Sequence, residues 1–330
     1  MRIAKSLVKS AILSGAAIAA MTGAVPIQAQ NAGNDTEITA PGPIGPLAGS
    51  MIDAGQGAPV VLIIPGSGPT DRNGDNPMGS AGGVLRQLAE GLADQGVSSV
   101  RIDKRGMFGS AGAVANANRD SSIAGYVDDT KSWIGVIRAK TGAPCVWLLG
   151  HSEGGLVALK AATMLDGVCG VVEVEAAGRK LGDVMRAQFR ANPANAPVLD
   201  QLLGMIDSFE AGKTVDPETL HPALRAIFNA DIQPYWIDLV SHDPAALAAA
   251  YSGPMMVGQG GNDIQVTQAD SQALTTARPD AEFLLVPNMT HVLKIAEGDD
   301  RAASLATYTT TDQPIAPQLV PAIADFIKTH

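Results

Sequence analysis

Three residues far apart in the 330-residue chain have the types and settings that acyl transfer needs: Ser152, Asp263 and His291. Ser152 sits in Gly150-His151-Ser152-Glu153-Gly154, a G-x-S-x-G pattern. Such a pentapeptide also occurs in ordinary Gly- and Ser-rich turns, so its flanks decide. Val146-Trp147-Leu148-Leu149 reads as a buried strand, and Gly155-Leu156-Val157-Ala158-Leu159 opens a helix. Between them the turn is a nucleophile elbow, in which small flanking residues avoid collisions and the serine Oγ is lifted clear of the sheet. The following helix N-terminus then points at the reaction centre.

His151 and Glu153 cannot complete the chemistry, although they flank the serine. Side chains diverge on a sharp turn, whereas a base must come within about 2.6–3.2 Å of Oγ. The partners must come from other strand ends, in the order serine, acid, histidine. Of the five histidines, His330 is terminal, and His221 and His242 fall in a helical stretch. His291 follows the apolar run 282–286 and is the expected base. Asp263, in Gly260-Gly261-Asn262-Asp263 after the run 255–258, is the expected acid that orients it, with a helix-capping role as the alternative. Asp270 and Asp280 are weaker candidates, on or beyond the next helix. His151 is expected to pack beneath the turn.

An acyl-transfer serine also needs two backbone N–H groups for the oxyanion. Glu153 N, after the nucleophile, is one. The other is expected from Pro65-Gly66-Ser67-Gly68-Pro69, with Ser67 favoured over Gly68. The rival phosphate-loop reading of this segment lacks G-K-[ST] and G-x-G-x-x-G.

The elements that must position these residues alternate. Apolar runs at 60–64, 97–102, 145–149, 168–174, 254–258 and 282–286 read as strands. Helical spacing occupies 83–94, 123–140, 154–164, 266–277 and 316–328, and residues 47–52 continue an N-terminal hairpin. Strands apolar on both faces, alternating with helices, imply a covered, mostly parallel sheet in a three-layer α/β sandwich. The alternation breaks over 178–250, which is helical, strandless and punctuated by Pro193, Pro197, Pro217, Pro222 and Pro234. It reads as an inserted helical cap on a core of 30–177 and 251–330. Of its apolar residues Leu202, Met205, Phe209, Phe228, Tyr235 and Trp236, one or two are expected to line a substrate pocket. Cys145 and Cys169 come out roughly level on successive strands, so a disulfide and two free thiols both remain open.

The formal charge of -10 disfavours nucleic acid and anionic membranes as partners. Arg2, Lys5 and Lys9, then an alanine-rich apolar run and Ile27-Gln28-Ala29, have the layout of a secretory signal peptide over 1–29. Cleavage would leave a periplasmic or secreted chain without stable membrane association.

With these pieces placed, the chain resembles the α/β-hydrolases. More narrowly, it resembles bacterial secreted serine carboxylesterases, the EstD-like esterases, with a G-S-G-P-x-D-R-D-G motif. Here that motif runs Gly66-Ser67-Gly68-Pro69-Thr70-Asp71-Arg72-Asn73-Gly74, with Asn73 departing from the pattern. Arg101-Ile102-Asp103-Lys104-Arg105-Gly106, Gln233-Pro234-Tyr235-Trp236 and Asn288-Met289-Thr290-His291-Val292 extend the likeness. Thr290 stands where Gly or Asn often precedes the histidine. The resemblance implies a mostly parallel eight-stranded sheet with a helical cap. It also implies hydrolysis of small to medium acyl esters without metal or cofactor. Asp71, Arg72, Asp103 and Arg105 are expected to form one ion-pair cluster bracing the loops, rather than to touch substrate. A peptidase or thioesterase on the same three residues, or a silent binding protein, are the alternatives. The sequence leaves the natural ester and the oligomeric state open.

Overall fold

The apolar runs form an eight-stranded sheet in the computed structural model, which describes residues 35–77 and 79–330; the expected leader over 1–29 lies outside them. The strands are β1 Thr36–Pro41, β2 Pro46–Ile52, β3 Val60–Ile64, β4 Ser98–Ile102, β5 Val146–His151, β6 Val168–Val174, β7 Met255–Gly260 and β8 Glu282–Val286. They lie in the order β1-β2-β4-β3-β5-β6-β7-β8. β2 runs antiparallel to β1 and β4, and all other pairs are parallel. The expected fold class is therefore the observed one.

Continuous apolar character follows from burial on both faces. In β3, Val60, Leu62 and Ile64 enter one core and Val61 and Ile63 the other. Helix α1 (Val84–Asp94) covers the second face. Helices α2 (Ile123–Thr141) and α3 (Glu153–Met164) cover the first, through Trp133, Ile137 and Val157. Ser122 caps α2 by accepting from Gly125 N at 2.9 Å, and Gly142, at φ 74°, ends it. Both positions follow ordinary capping chemistry.

Between β6 and β7 come α4 (Leu181–Ala191), α5 (Leu199–Glu210), α6 (Pro222–Arg225), α7 (Gln233–Val240) and α8 (Pro244–Ala250), with no strand among these described residues. The prolines that interrupt the sequence pattern mostly start helices. Pro222, Pro234 and Pro244 occupy the first turns of α6, α7 and α8, where a missing N–H costs nothing. After β7 come α9 (Gln268–Ala277), α10 (Arg301–Ala306) and α11 (Leu319–Thr329). Helix α11 packs beside α1 through Leu319, Ile323 and Phe326.

Cys145 and Cys169 form a disulfide, with Cα atoms 5.1 Å apart. Val146 pairs with Val168, so Cys145, one residue before, and Cys169, one residue after, meet diagonally across β5 and β6 beside a register irregularity. Among the described residues no helix is long and apolar enough to cross a membrane.

Candidate active site

Strand β5 ends at the elbow. Ser152 adopts φ 56°, ψ -121°, a left-handed value that side chains disfavour. Its N–H donates to the Val174 carbonyl and its own carbonyl accepts from Gly155 N, both at 3.0 Å, which fixes the strained turn. The flanking glycines are required by space: a Cβ at Gly150 would strike the Gly154 carbonyl, and one at Gly154 would strike the Ile64 carbonyl. The turn ends in α3, whose first N–H groups have no intrahelical acceptor. Glu153 N is the first of them.

The loops after β7 and β8 bring Asp263 and His291 together. His291 Nδ1 donates to Asp263 Oδ2 at 2.7 Å, and both residues are buried. This bond leaves Nε2 as the proton acceptor, the tautomer a base requires. Asp263 Oδ1 accepts from Gln265 N at 2.6 Å and Val266 N at 3.0 Å. Burial would raise the Asp263 carboxyl, but the His291 ring and these bonds outweigh it and hold the group below its ordinary value. The alternative acids are engaged elsewhere. Asp270 closes the capping box of α9 with Thr267 and pairs with Arg179 at 2.7 Å; Asp280 pairs with Arg278 at 2.5 Å.

His151 does more than fill space beneath the turn. Its Nε2 donates to the His291 carbonyl at 2.8 Å, with ring centroids 5.0 Å apart. The residue before the serine thus ties the histidine loop to the elbow. Burial, with His291 beside it, pushes His151 down to about 4, so it is neutral near pH 7.

A second carboxyl, missed in the sequence, backs the acid. Glu175, immediately after β6, is fully buried at φ 49°. Its Oε2 accepts from Gln259 Nε2 at 2.7 Å, and its Oε1 is buried without a hydrogen-bond partner among the described residues. Two neighbouring buried carboxyl groups do not readily both ionise, so one keeps its proton. Burial and then the Asp263 charge push Glu175 well above its ordinary value, so it is the one that does. The signal available in the sequence was a pair of acids, Glu173 and Glu175, at the end of an apolar run, Val171-Val172-Glu173-Val174-Glu175.

The loop after β3 faces the elbow so closely that a Cβ on Gly66 would lie 3.1 Å from Ser152 Cβ. Ser67 lines the same pocket as Ser152 and Glu153. Lys104 Nζ donates to the Gly66 carbonyl at 2.7 Å and pairs with Glu153 Oε1 at 3.0 Å. Tyr235 OH donates to Glu153 Oε2. The Glu153 carboxylate is therefore fully engaged.

The expected single ion-pair cluster is two. Arg72 pairs with Asp103 at 3.0 Å and reaches Glu37 on β1 at 3.1 Å. Arg105 instead turns to α2, pairing with Asp129 at 2.6 Å and donating to the Gly125 carbonyl at 2.5 Å. Asp71 accepts the N–H groups of Asn73 and Asp75 within its own turn. Neither Arg72 nor Arg105 lines the pocket.

That pocket has a volume of about 60 Å³ and opens beside Ser152. Leu156, Leu181, Val184, Met185, Trp236 and Leu239 supply its apolar wall. Of the residues expected there, Trp236 takes part. Met205, Phe209 and Phe228 do not: all three are buried inside the helical segment, with the Phe209 and Phe228 rings 6.2 Å apart and tilted by 39°. Tyr235 is buried too, and spends its hydroxyl on Glu153. The larger side chains hold the segment together, while α4, whose Met185 and Leu181 drew no attention in the sequence, meets the serine. Among the described residues no group of three or more His, Cys, Asp or Glu could hold a metal ion.

Residues 78–202 match the family model described as Serine aminopeptidase, S33. The chain is 24% identical over 245 residues to Esterase EstD of Thermotoga maritima, covering 73% of this chain and 56% of that protein. It thus spans little more than half the length of that curated relative. The Pyrococcus furiosus esterase Pf2001 superimposes with TM-score 0.60 at 13% identity, over 96% of this chain and 99% of that one. The alpha/beta hydrolase GrgF of Penicillium sp. sh18 does so with TM-score 0.58 at 17% identity, over 90% and 98%. The chain has the α/β-hydrolase fold.

Proposed function

We propose that this protein is a serine carboxylesterase. Ser152 attacks an ester carbonyl, His291 takes the serine proton and returns it to the leaving alcohol, and Asp263 holds His291 in the required tautomer. The oxyanion is received by the N–H groups of Glu153 and Ser67. Water then hydrolyses the acyl-enzyme with His291 as base again. The observation that carries the reading is the buried 2.7 Å bond from His291 Nδ1 to Asp263, tied to the serine turn through His151. The pocket favours short acyl groups: at about 60 Å³ it holds a handful of waters, each needing roughly 10–15 Å³ on this measure. The apolar wall suits an alkyl chain, and the helical segment 178–250 acts as the cap over it.

The matched family description raises an aminopeptidase, which would need a free carboxylate to hold the substrate ammonium. Glu153 is the one acid among the described residues lining the pocket, and Lys104 and Tyr235 already occupy it. That favours the ester. The test is hydrolysis of p-nitrophenyl acetate, butyrate and octanoate, alongside aminoacyl p-nitroanilides and Ser152→Ala. The esterase reading expects acetate and butyrate to be cleaved well, octanoate poorly and anilides not at all. Anilide cleavage faster than ester cleavage would overturn it.

Export to the periplasm or beyond belongs to the same proposal. The Cys145–Cys169 disulfide supports an oxidising compartment. N-terminal sequencing of exported protein should start near Gln30, and a start at Met1 would contradict a cleaved leader.

A further inference from the structure

An acidic residue immediately after the nucleophile poses an electrostatic problem. Glu153 contributes its N–H to the oxyanion, yet its carboxylate sits on the same residue, with its side chain only 5% exposed. An uncompensated negative charge there would oppose the charge developing on the substrate oxygen, and in a desolvated pocket that opposition is strong. Lys104 answers it. Its side chain is 3% exposed and its ammonium makes two directed contacts, to Glu153 Oε1 at 3.0 Å and to the Gly66 carbonyl at 2.7 Å. The first neutralises the acid. The second orients the peptide that leads into Ser67, because the Gly66 carbonyl and the Ser67 N–H belong to one planar unit and point in opposite directions. A carbonyl drawn toward Lys104 turns the Ser67 N–H away from it. The Tyr126 ring lies 5.3 Å from the ammonium and closes this buried corner. Tyr235, from α7, takes the second oxygen of Glu153 and so links the helical segment to the same group.

We propose that Lys104 is a positioning residue that assembles the oxyanion hole: it neutralises Glu153 and aligns the Ser67 peptide through Gly66. This rests on the esterase reading above. Lys104 touches no substrate; it acts through two residues that do. Its effect belongs to the transition state, so its loss lowers kcat with little change in KM.

The experiment compares Lys104→Met, Lys104→Met/Glu153→Gln and Lys104→Arg with wild type on p-nitrophenyl butyrate, together with hydrogen–deuterium exchange of the loop 65–70. Loss of one direct oxyanion donor typically costs about 10²–10³ in kcat. Lys104→Met should lose on the order of ten- to a hundred-fold in kcat, with KM within about threefold, and the loop should exchange faster. The double variant removes the stranded charge and should recover part of the lost kcat, which a purely structural lysine would not allow. Lys104→Arg should fall between. A folded Lys104→Met with kcat within about twofold of wild type overturns the proposal, as does a double variant worse than the single one. If wild type cleaves no ester, the esterase reading fails by itself and exchange alone decides: faster loop exchange in Lys104→Met upholds the clamp, unchanged exchange removes it.

Discussion

The two walls of the site, of which the apolar one lines the pocket, are built by opposite means. On the base side, polar groups are buried and each is held by a named partner: Asp263 by two N–H groups and His291, His291 by His151, and Glu175 by Gln259. These residues end strands β5 and β7 or follow the ends of β6, β7 and β8, so the sheet places them. On the acyl side, the wall is apolar. Leu181 and Met185 from α4, with Trp236 and Leu239 from α7, are held by packing within a helical segment. A hydrogen-bonded wall has one good arrangement and fails when a partner is lost. A packed wall tolerates changes of volume and answers with altered preference.

Removing Ser152 should have the largest effect. Ser152→Ala should lower kcat by about 10⁴-fold or more, with the fold intact. Asp263→Asn keeps the shape but lets His291 adopt the wrong tautomer. A loss of about 10²–10⁴ in kcat, measured under saturating substrate, is expected; a change of KM alone would break the asymmetry between the walls.

Glu173 tests the ground beneath the elbow. It is fully buried with both oxygens unpartnered, it would be struck by a Cβ on Gly155, and burial raises it to about 8. Below its unfolded value of 4.5 the group is protonated in both states and contributes nothing. Between 4.5 and about 8 the unfolded chain releases the proton and the native state keeps it, so stability falls as pH rises. Glu173→Gln removes this slope. Relative to wild type it should gain on the order of 4 kcal/mol between pH 4.5 and 8, read from denaturant unfolding at each pH. Parallel pH profiles for the two proteins would contradict a protonated Glu173.

Two substitutions in the helical segment separate its core from its wall. Phe209→Ala, a core change, should cost about 3–5 kcal/mol of stability with acyl preference unchanged. Met185→Ala, a wall change, should raise kcat/KM for octanoate relative to acetate by about tenfold, since each added methylene in an apolar pocket carries about 1–3 kcal/mol. Swapped outcomes would mean that the two roles are reversed.

The same contrast governs what could be read from sequence. The succession of strands and helices, the elbow and the two loops bearing Asp263 and His291 were legible because chemistry restricts their residue types and strand ends restrict their places. The pocket was not. Phe209, Phe228 and Met185 are all apolar residues at helical spacing, and only the docking of the helices decides which face the serine. Glu175 and Lys104 were illegible for another reason. An acid just past a strand, or a lysine in a charged motif, acquires its role only from a partner brought from elsewhere in the chain: Asp263 for one, Glu153 and Gly66 for the other. Arg105 shows the reverse error, since sequence proximity grouped it with Asp103 while space gave it Asp129 on α2.

Covalent capture at Ser152 tests the proposed chemistry most directly. The direct measurement is intact-mass and peptide-mapping spectrometry after brief exposure to a fluorophosphonate, repeated with p-nitrophenyl butyrate quenched in the first turnover. One phosphonyl adduct and one transient butyryl adduct per chain are expected, both on the peptide containing Ser152 and both absent from Ser152→Ala. An unlabelled wild-type protein, or an adduct that persists in Ser152→Ala, would contradict it.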